Sequence, residues 1–556
     1  MQCLPSAYVF SRIGLTPHKH SYILICKQAY VKNHMNIREE IKNVVSKSLK
    51  VLGYEGDFSI KVLRPQKVSF GDYSVSIAME IAKKEGKNPM EIAEKIKENI
   101  KGKHFERIEV MNPGFINFFV SREYIFKEID EVFKKRAKFG ESKKKKERIQ
   151  VEFISANPTG PLTVGNGRGG PFGDVLANVL KKYGYNVQKA YYINDHGKQI
   201  LSLGHSVLKD EEAKYTGEYI DRLNRKMRKG NPYKIGKIAA KIIMDSMIKK
   251  TIRKLNIRFD EYFSESVLHK GKNVDKVLDL LRKEGLTYEQ EGAEWFMSTA
   301  LGDERDRVII KSDGEKTYLL GDIAYHKYKF EKKKFDQVIN IWGADHFGDV
   351  PGLMAGVEAM GHINKLRIVL LQFVTVLKDG KTVRMSKRMG TAITMDDLLD
   401  ELSPDAIRFF FLMKSADTHL NFDLDLAKEQ SEKNPVFYVQ YAHARISSIL
   451  RKSRKILRVG RIKDVELLTD KREIELMKQI LKFPEIVEDT ANDYEVHRIP
   501  QYALDLANSF HKFYAECHVL TKDKKLKEAR LSLAAATKIT LKNTLELMGI
   551  SAPEKM

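Results

Sequence analysis

The sequence predicts a multidomain α/β protein, and three observations carry that expectation. At 556 residues the chain exceeds what a single hydrophobic core can serve. A strand, a glycine-rich turn and a helix follow one another between residues 148 and 184. A smaller unit mixing helices with short strands precedes them, and an amphipathic helix opening at Pro435 follows.

Apolar residues make up 42% of the chain and charged residues 31%, enough for packed cores under a heavily charged surface. Lysine and arginine number 97 against 74 acidic residues, a net charge of +23 that favours a polyanionic partner, nucleic acid first. A merely solubilising surface would leave the same charge, so motifs must decide. The cysteines, Cys3, Cys26 and Cys517, are too few and scattered for a disulfide framework or a C-x-x-C zinc site, which fits a reducing cytosol. The longest apolar stretches, such as Ile368 to Leu371, are strand-sized and fall far short of the roughly 20 residues that span a bilayer.

Residues 1–34 contain no Asp or Glu, while Arg12, Lys19, Lys27 and Lys32 are spread through them. They read as an appended upstream extension; a transit peptide is the alternative, with a single arginine in its favour. From Met35 a helix is expected, with Ile37, Ile41, Val44, Val45, Leu49 and Leu52 at helical spacing and Gly53 in the stop position. The unit it opens runs from 35 to 138. Lys143 to Lys146 mark its exit, either as a solvated linker or as a contact to nucleic-acid phosphate.

In the next segment, Ile149, Val151 and Phe153 alternate with Gln150 and Glu152 as a strand. Pro158, Gly160 and Pro161 break it. Phe172, Val175, Leu176, Val179, Leu180 and Tyr183 then keep helical spacing, and Gly184 ends the helix. A strand leading through a glycine-rich turn into a helix is phosphate-binding βα chemistry, with backbone amides facing an anion, although glycines there also serve packing. Further on, Phe373 to Leu377 reads as a strand and Asp379-Gly380 as a two-residue hairpin turn. The return leads into Arg384-Met-Ser-Lys-Arg-Met-Gly390, whose cations suit a triphosphate as negative charge develops on it. A basic surface turn is the plainer reading of that loop.

The two segments together resemble the HIGH region and the KMSKS loop of class I aminoacyl-tRNA synthetases. More narrowly, Val151-Glu-Phe-Ile-Ser-Ala-Asn-Pro-Thr-Gly-Pro161, Tyr191-Tyr-Ile-Asn-Asp-His-Gly197, Trp342-Gly-Ala-Asp-His346 and Asn434-Pro-Val-Phe-Tyr-Val-Gln-Tyr-Ala-His-Ala-Arg445 resemble the arginyl-tRNA synthetase family, as does the ending Leu547 to Met556. The likeness runs from Met35 to Met556. It implies a doubly wound, Rossmann-like parallel sheet for a catalytic domain with insertions at 139–400. It also implies an N-terminal α+β domain at 35–138 that reads the tRNA elbow, and an all-α anticodon-binding domain at 401–556.

The resemblance also implies roles residue by residue. Tyr318 and Asp322, four apart and so on one helical face, match the arginine side-chain pocket; a carboxylate and an acceptor there suit a planar guanidinium. Glu152, Ser155 and Asn157 match positions holding the amino acid, and His346 a nearby pocket position. Gly165 matches close backbone approach to ATP, Gly343 and Asp345 the ribose side, and Arg384, Ser386 and Lys387 the phosphates. Asn112, Phe115 and Asn117 match contacts to a D-loop base, while Asn-Pro-Gly is equally good turn chemistry. Tyr441, Arg445 and Met556 match the anticodon side, where Tyr438, Tyr441, Arg445 and Lys452 share one helical face opposite Val436, Val439, His443, Ile446 and Ile449. The expected partners are tRNA-Arg, L-arginine and ATP with Mg²⁺, with no protein-bound structural metal, no membrane, a monomer and a cytoplasmic location.

The chain departs from the family where two histidines normally bracket the Val-Gly of the first segment: Thr163 and Asn166 stand there, and Arg384 replaces the first lysine of the loop. That keeps open a catalytically silent paralogue that binds tRNA. A cysteinyl enzyme is disfavoured, because no cysteine cluster is available for its zinc.

Overall fold

A computed structural model describes residues 37–56, 58–65, 67–383, 393–453 and 462–556. The extension 1–34 and the phosphate-loop residues Arg384, Ser386 and Lys387 lie outside the described residues. Contacts divide the chain into one unit ending at Arg122 and another beginning at Glu123, upstream of the division expected at 138.

The first unit is α+β. Its opening helix, Ile37–Val51, buries Ile37, Ile41, Val45 and Leu49 at the predicted spacing, while Val44 stays half-buried. An antiparallel sheet follows in the order Val62–Leu63, Tyr73–Val75, Phe115–Val120, Phe105–Met111. Helix Pro89–Glu98 begins with proline in its first turn, and Asn88 caps it by accepting the Met90 N–H at 2.9 Å.

The second unit is built on a five-stranded sheet in the order Leu366–Leu371, Gln337–Gly343, Arg148–Glu152, Asn186–Ile193, Glu261–Ser264. Every pairing in it is parallel. Strand Arg148–Glu152 sits at the centre, and chain order reverses on either side of it, which is the doubly wound arrangement the resemblance implied. The predicted alternation along this strand needs one correction. Gln150 and Glu152 do not face solvent but are 1% and 6% exposed, because helices cover both faces of a parallel sheet. Gln150 donates across the sheet to Gln188 at 3.0 Å, while its Oε1 has no partner among the described residues.

Helix Val164–Lys182 makes the first crossover, and Gly173 lets it lie on the sheet, since a Cβ there would come 2.2 Å from the Phe153 ring. Between Ser264 and Gln337 a small antiparallel sheet, Arg307–Ile310, Ala293–Phe296 and Thr287–Gln290, is inserted. Helix Tyr318–Lys327 then runs straight into a π turn, Tyr328–Lys332. Leu281, Phe296, Ile323, Phe330, Val338 and Leu353 close one core beneath these elements. The Asp379-Gly380 hairpin forms as expected between Val374–Lys378 and Lys381–Thr382, both turn residues taking positive φ, +50° and +69°. Beyond Asp423 the chain is helical, through Pro435–Lys452, Lys471–Leu481, Phe483–Asp493, Arg498–Glu516 and Lys524–Leu547. Among the described residues no helix is long and apolar enough to cross a membrane.

Candidate active site

The reversal of chain order between strands Arg148–Glu152 and Gln337–Gly343 leaves a crevice at the carboxyl ends of the strands, where ligands enter doubly wound sheets. A cavity of about 780 Å³ fills it. Glu152, Ser155, Asn157, Thr163, Gly165, Asn166, Tyr318, Asp322, Gly343, Asp345 and His346, dispersed over almost 200 residues of sequence, all line that one cavity.

One end is the start of helix Val164–Lys182. Thr163 caps it: its hydroxyl accepts the Asn166 N–H at 3.4 Å and donates to Asn166 Oδ1 at 2.8 Å. That pairing occupies the Asn166 carbonyl and leaves its NH₂ without a protein partner among the described residues. A Cβ on Gly165 would meet only Thr163 Oγ1, at 3.8 Å. The Val164 N–H donates to the Ile393 carbonyl at 2.9 Å and the Asn166 N–H to Thr163, so of the first-turn amides it is that of Gly165 that remains for an anion, which the helix dipole favours there. Across the cavity, Gly343 ends its strand so tightly against Asp345 that a Cβ would come 2.3 Å from the carboxylate. His346 is exposed and leans on Asp349 at 3.3 Å, with its ring 5.8 Å from Trp342.

The other end is acidic. Past strand Arg148–Glu152 the backbone enters the left-handed region at Ile154 and Ser155, φ +66° and +40°, a costly conformation for a β-branched residue and one that clusters at functional sites. The turn sets the Ser155 hydroxyl between the Tyr192 N–H, which it accepts at 3.0 Å, and Glu152 Oε1, to which it donates at 3.3 Å. Tyr318 and Asp322 share one face of helix Tyr318–Lys327, as their spacing predicts. The Asp322 carboxylate has no side-chain partner among the described residues. Burial, with Glu152 and Glu265 nearby and Lys329 opposing them, pushes its pKa up to about 8.

Sequence reasoning missed the residues beneath this end: Tyr192, Glu265, Tyr325, His326, Lys329 and Asn340. The signal was present as a polar stripe at helical spacing, Asp322, Tyr325, His326 and Lys329. A search for apolar periodicity passes over it. Metal donors gather at one place among the described residues, where His196, Glu265 and His269 hold ligand atoms within 4.8 Å of one another. The two imidazole rings stack 3.9 Å apart and 14° from parallel, so their in-plane lone pairs run side by side instead of converging on an ion.

The expected nucleic-acid contacts are placed unevenly. In the first unit Asn112 is exposed and Phe115 half-buried at the tip of hairpin Phe105–Met111/Phe115–Val120. Asn117, opposite Glu109 in the same hairpin, is 3% exposed, and its Oδ1 has no partner among the described residues. In the second unit Arg445 lies over the Tyr514 ring at 4.5 Å and the Tyr441 ring at 5.7 Å, beside a cleft of about 840 Å³ that also includes Tyr438, His511 and Lys522. Met556 is exposed and is not among the residues lining that cleft.

Family models match nearly all of the chain from residue 35: an arginyl tRNA synthetase N terminal domain at 35–120, the class I (R) tRNA synthetase catalytic domain at 128–224 and 207–421, and a DALR anticodon binding domain at 439–556. An arginine–tRNA ligase of Caldanaerobacter subterraneus is 41% identical over 554 residues, covering 93% of this chain and 99% of its own. The chain belongs to the arginyl-tRNA synthetase family. The arginine–tRNA ligase of Bacillus licheniformis is 42% identical, covering 94% of this chain and 100% of its own. The arginyl-tRNA synthetase structure from Thermus thermophilus superposes with a TM-score of 0.77 at 23% identity, over 94% of this chain and 100% of that one, a likeness of fold alone. The cavity therefore lies in a class I synthetase catalytic domain, and the aromatic cleft around Arg445 in its anticodon-binding domain.

Proposed function

We propose that this chain joins L-arginine to the 3′ end of tRNA-Arg in two steps within the cavity. The observation that carries the reading is Asp322, a carboxyl without a side-chain partner among the described residues, on the same helical face as Tyr318 and facing a cavity whose far end is the start of helix Val164–Lys182, with the Gly165 N–H and the Asn166 amide. A guanidinium pairs with the acidic end, and phosphate oxygens meet the amide end. The arginine carboxylate is thereby held for in-line attack on the α-phosphorus of ATP, and pyrophosphate leaves. The terminal ribose 2′ or 3′ hydroxyl of tRNA then attacks the acyl-adenylate, and AMP leaves. No covalent enzyme intermediate is needed, so positioning and fixed dipoles carry the rate.

Asn166 donates its free amide to ATP oxygens, with Thr163 fixing its orientation. Gly165 and Gly343 allow close backbone approach, and Asp345 takes the ribose side. Ser155 and Asn157 hold the amino and carboxylate ends of arginine beside Glu152, and His346 borders that pocket. Arg384, Ser386 and Lys387 grip the leaving phosphates. A magnesium ion accompanying ATP spreads the phosphate charge. Asn112 and Phe115 meet the D-loop, and Tyr441, Arg445 and Met556 the anticodon arm. The working form is a cytoplasmic monomer.

The deciding measurement is ATP–pyrophosphate exchange with each amino acid, with and without tRNA. Exchange with arginine alone, and only when tRNA-Arg is present, is the expected result; exchange with a different amino acid overturns the reading. No exchange with fully modified tRNA-Arg that the protein nonetheless binds would identify the silent, tRNA-binding paralogue.

A further inference from the structure

A lysine lies buried beneath the acidic end of the cavity. Lys329 is 0% exposed and sits in the π turn Tyr328–Lys332, a helical irregularity often found at functional sites. Its ammonium donates to Glu152 Oε2 at 2.7 Å and to Asn340 Oδ1 at 3.4 Å, and lies 4.1 Å from the centroid of the Tyr325 ring. From Asn340 the bonding continues: its amide NH₂ donates to His326 Nε2 at 2.8 Å, and His326 Nδ1 donates to the Asp322 carbonyl at 2.7 Å. The pattern fixes a neutral His326, whose pKa burial holds well below its ordinary value.

Few buried lysines survive without a purpose, because removing an ammonium from water costs several kcal/mol before any pairing repays it. Here the pairing is with a carboxylate that itself borders the cavity. The other cations at the cavity wall are engaged elsewhere: Arg307 with Asp303 and the Gly348 carbonyl, and Lys311 with Glu315. The nearby acids are also engaged, Glu265 with His269 and Asp349 with His346. At this end of the cavity, among the described residues, the Asp322 carboxyl has no side-chain partner.

We propose that Lys329 is a positioning residue for amino-acid recognition: by neutralising and pinning Glu152 it leaves Asp322 as the carboxyl that ionises against a single incoming guanidinium. The idea rests on the reading that arginine occupies this pocket. Without Lys329, Glu152 would be free to attract a competing cation and would lose the orientation that Ser155 and Lys329 share in setting. Lys329 never touches the amino acid; its effect passes through Glu152.

The test is a mutant cycle in the full-length protein with Lys329→Met, Glu152→Gln and the double variant, measuring KM for arginine, KM for ATP, tRNA affinity and Tm. Losing one charge-assisted hydrogen bond that orients a ligand group predicts that Lys329→Met raises the arginine KM roughly 10- to 100-fold, leaving the ATP KM and tRNA affinity unchanged. In the Glu152→Gln background the same substitution should have no further effect on the arginine KM. An unchanged arginine KM in Lys329→Met, or full additivity in the cycle, overturns the proposal. If Lys329→Met does not fold, comparing Glu152→Gln with the double variant still decides, since equal arginine KM values support coupling and a further tenfold loss refutes it. A parent protein that does not use arginine would instead refute the functional reading beneath it.

Discussion

Arg408 and Asp174 are joined by a 2.5 Å ion pair across 234 residues of sequence, both almost wholly buried. Arg408 also donates from Nε to the Met548 carbonyl at 2.6 Å and from its remaining nitrogen to the Leu255 carbonyl at 2.9 Å. Asp174 holds Lys189 at 2.6 Å on its other oxygen. One guanidinium thus fastens the first crossover helix, the end of helix Lys249–Lys254 and the segment at Met548. Arg408→Met should destabilise the protein by about 3–5 kcal/mol, the usual cost of breaking a buried pair from one side. Thermal or urea unfolding checks it, and a Tm equal to the parent's contradicts it.

The cap on helix Val164–Lys182 separates the roles of Thr163 and Asn166. Asn166→Ala removes a donor aimed at the nucleotide and should slow adenylate formation by about 10²-fold or more, with tRNA binding little changed. Thr163→Ala removes the cap and should cost about 1 kcal/mol of stability, with a smaller loss of rate. Single-turnover adenylate formation at saturating tRNA distinguishes them; an Asn166→Ala enzyme as fast as the parent takes that residue off the site.

The raised pKa of Asp322 makes arginine binding pH-dependent. Its carboxyl ordinarily titrates at 3.8 but is pushed up to about 8 in the empty pocket, chiefly by burial and then by Glu152 and Glu265. A guanidinium needs the ionised form, so binding must release a proton. Arginine affinity should therefore rise roughly tenfold per pH unit below pH 8 and level off above it. Calorimetry in buffers of different ionisation heat measures the proton directly. Asp322→Asn should remove the slope and weaken binding by about 10²-fold.

Stability without arginine runs the opposite way. Between pH 3.8 and about 8 the folded protein holds a proton on Asp322 that the unfolded chain has released, so this group's stabilising contribution, complete at lower pH, is lost as pH rises through that window. Asp322→Asn should accordingly raise the Tm of the arginine-free protein more at pH 8 than at pH 5. Melting curves of parent and variant at the two values settle the sign.

A protein beginning at Met35 should melt and charge tRNA like the full chain, since the N-terminal family model begins at residue 35. A lower Tm or slower charging after removal of residues 1–34 would assign the extension a part in the fold.

The fold was legible wherever periodicity and turn chemistry agree. The opening helix, the Asp379-Gly380 hairpin and the buried face of helix Pro435–Lys452 all lie where spacing puts them. The cavity residues were legible as motifs because they cluster at strand ends and in the opening turns of helices. Burial of charge was not legible. Nothing in a lone Lys329, Arg408 or Glu152 tells a surface residue from one sealed in the interior, because that depends on partners far along the chain. The 3% exposure of Asn117 was not legible for a related reason, since it too depends on neighbours the local pattern does not name.

The last ten residues are stitched into the body of the second unit. Met548 is bonded to Arg408, Ser551 to Asp405 and Gln440, and Pro553 to His443. During synthesis Arg408 cannot complete its bonding until Met548, 140 residues further along the chain, has emerged. A chain that stopped short of Met548 would leave that buried guanidinium one acceptor short, at a cost of about 1–3 kcal/mol.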